Sequence, residues 1–532
     1  MSVWPDRVFL VMVLAGMFAL PLAAARAATD LAELQVLDRS VSRLADALQD
    51  DRPVEHAALR GLGLALFELE PRSGETPAIS DSGPNSSDFN AANPAMDNEL
   101  SFVPIDLVLS QLSLQTGSNH HIELKAAQTS PGAPVLVLRT GHWTLDILSR
   151  QLEELGKAGV LSRAGQVYRA SLPIVIWHQA ELAVSDGQTL ILDGQSGAFL
   201  VNSGLFTLEQ SVLKGAGGNA EVEDYRPFVL TALGGRTHVA HSTLSDLGFG
   251  DRPHLRGLSF VSSDFFPRKS RVLIRDNRIE RVFSVELSDM EGGLIENNLV
   301  LGARGSGIRI QRSRNTVIRA NTVASSEAHG IVLAAGASKA LVADNLLVGN
   351  ARAGVFSGGG VVSSQVAGNV VVGNDKSGIF LRGTGCVDIR NNLVAHNGLW
   401  GIAAKRSFSV SVKDNLLARN TGPGLVIGES VASRDRHRIS GNRFFANRSG
   451  FSADAFVTIE MSGNDFSGQR PILFSGELKA HTARYLRWSE VEREGDLASV
   501  FLARSAHPTA PADREPGELA VFSVTELANC KP

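Results

Sequence analysis

The chain has little of several things that define common protein classes. Among 532 residues there are two cysteines, three tyrosines and five tryptophans. Cys386 and Cys530 make no disulfide framework, and with no CxxC and no His-rich spacing the sequence offers no structural zinc site. The formal net charge is -4, so no global basic field exists to neutralise phosphates, which excludes a nucleic-acid binder resting on bulk electrostatics. Any anion site must be a local patch. No calcium-type Gly-Gly-x-Gly-x-Asp array occurs, and the residues imply neither a metal nor another cofactor.

Long apolar runs are confined to the N-terminus, where Val8 to Ala24 follows Arg7 and precedes Ala25-Arg26-Ala27. This pattern predicts an export signal over 1–27, cleaved before Ala28, and hence a periplasmic protein. A membrane anchor is the alternative, but Pro21 and the small-residue end shorten the run, and no span is expected in the mature chain. Residues 28–72 form a helical segment in which Leu31, Leu34, Leu37, Val41, Leu44 and Leu48 recur at steps of three and four. A Ser-, Pro- and Asn-rich linker is expected over 73–99. Residues 100–172 read as a small α/β cap module, with a strand at Val135 to Leu138 and a helical pattern from Trp143 to Leu155.

What the chain has in abundance is glycine, 52 residues, and from 173 to 478 it is spaced. Asn277, Asn298, Asn321, Asn345, Asn369, Asn392, Asn415, Asn442 and Asn464 recur about every two dozen residues. A second register, Gly before an apolar residue, keeps step: Gly307-Ile308, Gly330-Ile331, Gly354-Val355, Gly378-Ile379, Gly401-Ile402, Gly424-Leu425 and Gly450-Phe451. Two registers in phase predict an all-β, right-handed parallel β-helix of short strands joined by tight corners, with 479–532 as a C-terminal tail or cap. Asn and Gly are expected to supply left-handed corner conformations, and the asparagines to stack as a structural ladder. Ile308, Ile331, Val355 and Ile379 should point inward. The next residue in each strand should then point outward.

Those outward positions are Arg309 and Gln311, Val332 and Ala334, Phe356 and Gly358, Phe380 and Arg382, Ala403 and Lys405. With Arg312 and Arg406 at the edges they form a basic stripe with interleaved rings. Such a face suits an anionic sugar polymer, because cations meet carboxylates and rings pack on sugar faces.

Several stretches carry a likeness to a known family: Gly197-Ala-Phe-Leu-Val-Asn-Ser-Gly-Leu-Phe, Tyr225-Arg-Pro-Phe-Val-Leu, His241-Ser-Thr-Leu-Ser-Asp-Leu-Gly-Phe-Gly, and the coils that follow. From about Leu172 to Asp465 the chain resembles the periplasmic mannuronan C5-epimerases of alginate biosynthesis. The resemblance implies a groove for a polyuronate and a place beside the other proteins of an envelope secretion assembly. It also implies Arg226 as a uronate contact. The family carries Asp-Pro-His-Asp after a Gly-Ile corner, with the His as base and an Arg one coil later neutralising the carboxylate. Here the corner reads Arg309-Ile310-Gln311-Arg312, and Ala335 stands where the later Arg is expected.

Gln311 cannot accept a proton as a base, so the residues point to polymer binding by Arg226, Arg309, Gln311, Arg312, Phe356, Phe380, Arg382 and Lys405 without the family's chemistry. The alternative is an epimerase or lyase with relocated groups, for which His329 and His254 are the available bases. His329 is expected at a corner. His254 lies in the loop Asp251-Arg252-Pro253-His254, two coils before the altered motif, and reads as a loop residue. Glu286 and Asp289 are the acids placed to pair with Arg309. No acid pair is forced together as a glycoside hydrolase would need.

Overall fold

The computed structural model describes residues 35–48, 58–59, 61, 89, 96–116, 120–130, 132–263, 269–429, 436–454, 457–490, 497–502 and 519–522. The expected signal at 1–27 and Cys530 lie outside them, as does most of the expected linker. Cys386 is disulfide-bonded.

The repeating body is a parallel β-helix whose coils each lay one short strand on each of three faces. On the first face Ile308–Gln311 pairs in parallel with Ile331–Ala334, which pairs with Val355–Gly358, and the series continues through Ile379–Arg382 and Ile402–Lys405. The second face stacks Leu294–Glu296, Val317–Arg319 and Leu341–Ala343. The third stacks Leu299–Leu301, Thr322–Ala324 and Leu346–Val348. Ile308, Ile331, Val355 and Ile379 align in register and are 0% exposed, so each coil adds one inward apolar residue to a continuous interior. Burial of this column is the main force holding the solenoid together.

The asparagines form the expected ladder. Each Nδ2 donates to the Oδ1 of the next coil, Asn345 to Asn369 at 3.0 Å and Asn369 to Asn392 at 2.9 Å, so buried amides satisfy one another. A second ladder runs beside it, from Asn350 through Asn374, Asn397, Asn420 and Asn447 to Gln469. Asn and Gly do supply left-handed corners, as at Asn297, Asn391, Gly368 and Gly441, but neither the ladder asparagines nor the second-register glycines are the residues that do so. The left-handed residue is the one before each ladder asparagine, such as Asp344 at φ 54° or Asn391 at φ 54°. The corner glycines are needed for space instead: a Cβ at Gly330 would sit 2.7 Å from Gly354 O, and one at Gly354 would collide with Val371.

Both open ends of the interior are plugged, as a solenoid requires. Trp143 and the helix Leu145–Glu154, whose Thr144 hydroxyl accepts the Ile147 N–H, bury Leu145, Leu148 and Leu152 against the first coils. At the other end Tyr485 and Trp488 of the helix Thr482–Ser489 close the core, and Leu497–Leu502 pairs antiparallel with Val457–Ser462.

Two further segments lie on the outside. Helical residues 35–48 cover apolar side chains of the third face, with Leu37 and Leu44 packed near Leu346 and Val370, and Asp38 bonds His396 and Arg419, each at 2.9 Å. The helices Ile105–Thr116 and His121–Ala126 cover the first face of the early coils, packing Leu109 and Leu124 with Val201, Leu230 and Phe249.

Candidate functional site: a groove closed at one end

On the first face, Leu230, Ser259, Glu286 and Arg309 follow one another in register, coil by coil. Leu230, Ser259 and Glu286 are 0% exposed because the helices and the loop 247–256 lie over them, whereas the Arg309 side chain is 29% exposed. Arg309 therefore stands where the covered face becomes an open one. The loop is pinned: Arg252 makes two hydrogen bonds to the Glu123 carboxylate, at 2.9 and 3.0 Å, and stacks 3.8 Å from the centroid of the Phe249 ring.

The loop brings its own charges. Arg256 donates to Glu286 Oε1 at 2.6 Å and to Asp251 Oδ1 at 2.9 Å, and the His254 N–H reaches Glu286 Oε2 at 3.3 Å. Gln311 gives its amide to Glu286 Oε1 at 2.8 Å and Ser288 Oγ at 2.7 Å. A fully buried carboxylate is tolerated only with such partners. Arg312 instead takes Asp289 in a two-point pair at 2.7 and 2.9 Å. The expected pairing of Arg309 is found with Glu286 but not with Asp289: the ion pair is long, Arg309 Nε lying 3.9 Å from Glu286 and buried without a hydrogen-bond partner, while Asp289 is taken by Arg312. Burial first, then the positive charge of Arg256, lowers the Arg309 pKa.

His254 is a loop residue as expected, but the loop folds onto the altered motif rather than away from it. The ring is 4% exposed, and burial pushes its pKa down, leaving it neutral beneath the loop. Its Nδ1 is buried with no partner. His329 sits at a corner and is half-buried. Its Nδ1 accepts the Ala353 N–H at 3.2 Å, and burial together with the neighbouring Arg352 and Arg309 pushes its pKa down to about 4. A neutral ring whose Nδ1 is an acceptor carries its proton on Nε2, which makes it a donor and not a base.

Beyond Arg309 the face carries a run of rings. His329 stacks on Phe356 at 4.7 Å, Phe356 meets Phe380 at 5.7 Å, and Phe380 meets Trp400 edge-on at 5.7 Å. Lys405 lies 4.7 Å from the centroid of Trp400 and 3.1 Å from Glu429, while Arg382 is exposed and has no ion pair among the described residues. Exposed Arg352 and Lys376 flank the rings from the preceding corner. Gln311, at 7% exposure, supports Glu286 from below and has no amide hydrogen left to offer. Arg226 lies 3.9 Å from Asp246, several coils earlier on the corner column that leads to Arg352.

Trp400, Arg256 and Arg352 were not among the expected residues. His329 and Trp400 share one position, immediately before the corner glycine, so tabulating that column would have shown the extra ring. Nothing local marks Arg256, since the loop's landing point depends on its packing against residues 105–126.

These features define a class: a parallel β-helix with a row of aromatic rings and neighbouring cations along one face. Residues 255–371 match the family profile "Right handed beta helix region" and residues 357–477 match "Periplasmic copper-binding protein (NosD)". No curated protein matches the sequence. Among solved structures, the periplasmic alginate epimerase AlgG superposes with a TM-score of 0.62 at 19% identity, over 74% of this chain and 99% of that one. A mutant form of AlgG gives 0.63 at 19%, over 76% and 100%. The chain shares that fold, in agreement with the resemblance seen in its sequence.

A copper site does not fit the residues present within 357–477. Cys386 is disulfide-bonded, His396 is held by Asp38, and His437 is buried alone in the core. Among the described residues no three His, Cys, Asp or Glu side chains converge.

Proposed function

We propose that this protein is a periplasmic binder of an anionic polyuronate in the biosynthesis or secretion of an alginate-like exopolysaccharide, without the epimerase's catalytic groups. The observation that carries the reading is the continuous ring column His329, Phe356, Phe380 and Trp400 with cations on both flanks. Rings offer apolar faces to sugar C–H groups while the flanking cations meet the uronate carboxylates. Binding is expected to weaken with salt, because the cations are half-exposed. The shared fold with AlgG supports the substrate class.

Catalysis by C5 proton abstraction needs a base open to the sugar. Gln311 cannot serve, His329 presents a proton instead of accepting one, and His254 is enclosed. The test is retention of purified protein on immobilised polymannuronate at low salt, together with proton exchange at C5 followed by NMR. Retention without exchange is expected, and Phe380→Ala with Trp400→Ala should abolish it. No retention would overturn the proposal. Exchange above background would replace it with the second reading, an epimerase or lyase with relocated groups, which the proximity of His254, Glu286 and Arg309 favours.

A further inference from the structure

The groove has a wall at one end. Outward residues of the first face are sealed as far as Glu286 and Ser288, both 0% exposed, and the face opens only at Arg309. The wall is the loop 247–256, fixed to the helix His121–Ala126 through Arg252 and Glu123. An extended polymer lying along the ring column runs straight into it.

At the foot of this wall stands a cation whose one ion pair is a long one, 3.9 Å from Glu286. Both Glu286 oxygens already accept from Arg256, Gln311 and the His254 N–H, and Arg309 makes no hydrogen bond among the described residues. The Nε–H is buried out of a ligand's reach, but the side chain is 29% exposed and its outer guanidinium N–H groups make no hydrogen bond among the described residues, so they are open to an incoming acceptor. His329 adds a second donor, because its Nδ1 is occupied by the Ala353 N–H and its Nε2 must carry the proton. Arg352 stands close enough to His329, as Arg309 does, to lower its basicity. The Gly307 N–H bonds the His329 carbonyl two residues before Arg309, and the Ala353 N–H beside Arg352 bonds the His329 ring, so two guanidinium-bearing residues neighbour the imidazole N–H, a donor set a carboxylate takes.

We propose that Arg309, His329 and Arg352 form a terminal subsite that receives the carboxylate of the end residue of a uronate chain, so that the protein grips a chain end and not its middle. This rests on the polyuronate reading above and adds the mode of binding. A chain-end binder takes one protein per chain whatever the chain length. A binder of internal segments loads more proteins on longer chains.

The experiment uses the full chain with mannuronate oligomers of several defined lengths, measuring stoichiometry by calorimetry and sedimentation. The same oligomers are then blocked with a bulky group at the reducing end or at the non-reducing end. One protein per chain at every length is expected, with one of the two blocks abolishing binding and the other having no effect. Arg309→Ala is expected to weaken binding roughly tenfold or more. The blocked oligomers, tested on the unaltered protein, keep the result independent of whether that variant folds. Stoichiometry that rises with length, or binding indifferent to both blocks, overturns the terminal subsite and leaves the polyuronate reading standing. No binding to any oligomer or to the polymer overturns both.

Discussion

At His329 a single backbone hydrogen bond decides what the residue can do. With the Ala353 N–H on Nδ1 and a pKa near 4, the ring stays neutral across the physiological range and offers only Nε2–H. Nitrogen NMR of the labelled protein should show an Nε2–H tautomer that does not titrate between about pH 8 and pH 5. A titration near the ordinary histidine value would return His329 to the list of bases. A second histidine is held neutral by burial alone. His437 is 1% exposed, both its ring nitrogens lack partners, and burial pushes its pKa down to about 4. Below about 6.5 the unfolded chain binds a proton that the fold refuses, so stability falls as pH drops from there toward 4. His437→Leu should remove its own share of that slope, to which His329 also contributes, raising stability near pH 5 by about 2 kcal/mol relative to its effect at pH 7, as read by denaturant unfolding. An unchanged slope would mean that the ring takes up its proton without penalty.

The corner and the ladder are the elements that the residue spacing makes legible. Asn369 donates to Asn392 Oδ1 and Val342 O, and its Oδ1 receives both the side chain and the backbone N–H of Asn345. Asn369→Ala leaves several buried groups unmet at about 1–3 kcal/mol each, so a clear loss of melting temperature is expected, larger than for an exposed asparagine. Gly354→Ala should also destabilise, because the methyl collides with Val371, whereas Gly360→Ala meets no atom and pays only for its left-handed φ of 81°. Comparing the two by thermal unfolding separates crowding from backbone strain. The second ladder, Asn350 to Asn447, was equally present in the spacing but hidden behind the glycine register that follows it by three or four residues. The same proximity explains why glycine looked like the corner-former when the left-handed residue lies elsewhere.

At the scale of the whole molecule, the segment before the solenoid does two jobs: Trp143 and Leu148 plug the interior, and residues 105–126 with the loop 247–256 seal the early first face. Arg252→Ala cuts the tie to Glu123 and should raise hydrogen exchange in the loop without lowering the global melting temperature, since few core residues depend on it. Unchanged exchange would show that the apolar contacts of Phe249 and Leu255 hold the wall by themselves.

The sequence by itself determined the solenoid, its inward column and its structural asparagines. Those follow from residue type at a fixed period, which each coil repeats against its neighbour. It could not place Arg256 against Glu286, keep Arg309 beyond hydrogen-bond reach of that carboxylate, or wall off one end of the face. Those contacts join residues such as Glu123 and Arg252 that lie far apart in sequence and obey no period. Only the docking of the N-terminal helices onto the outside of the coils brings them together.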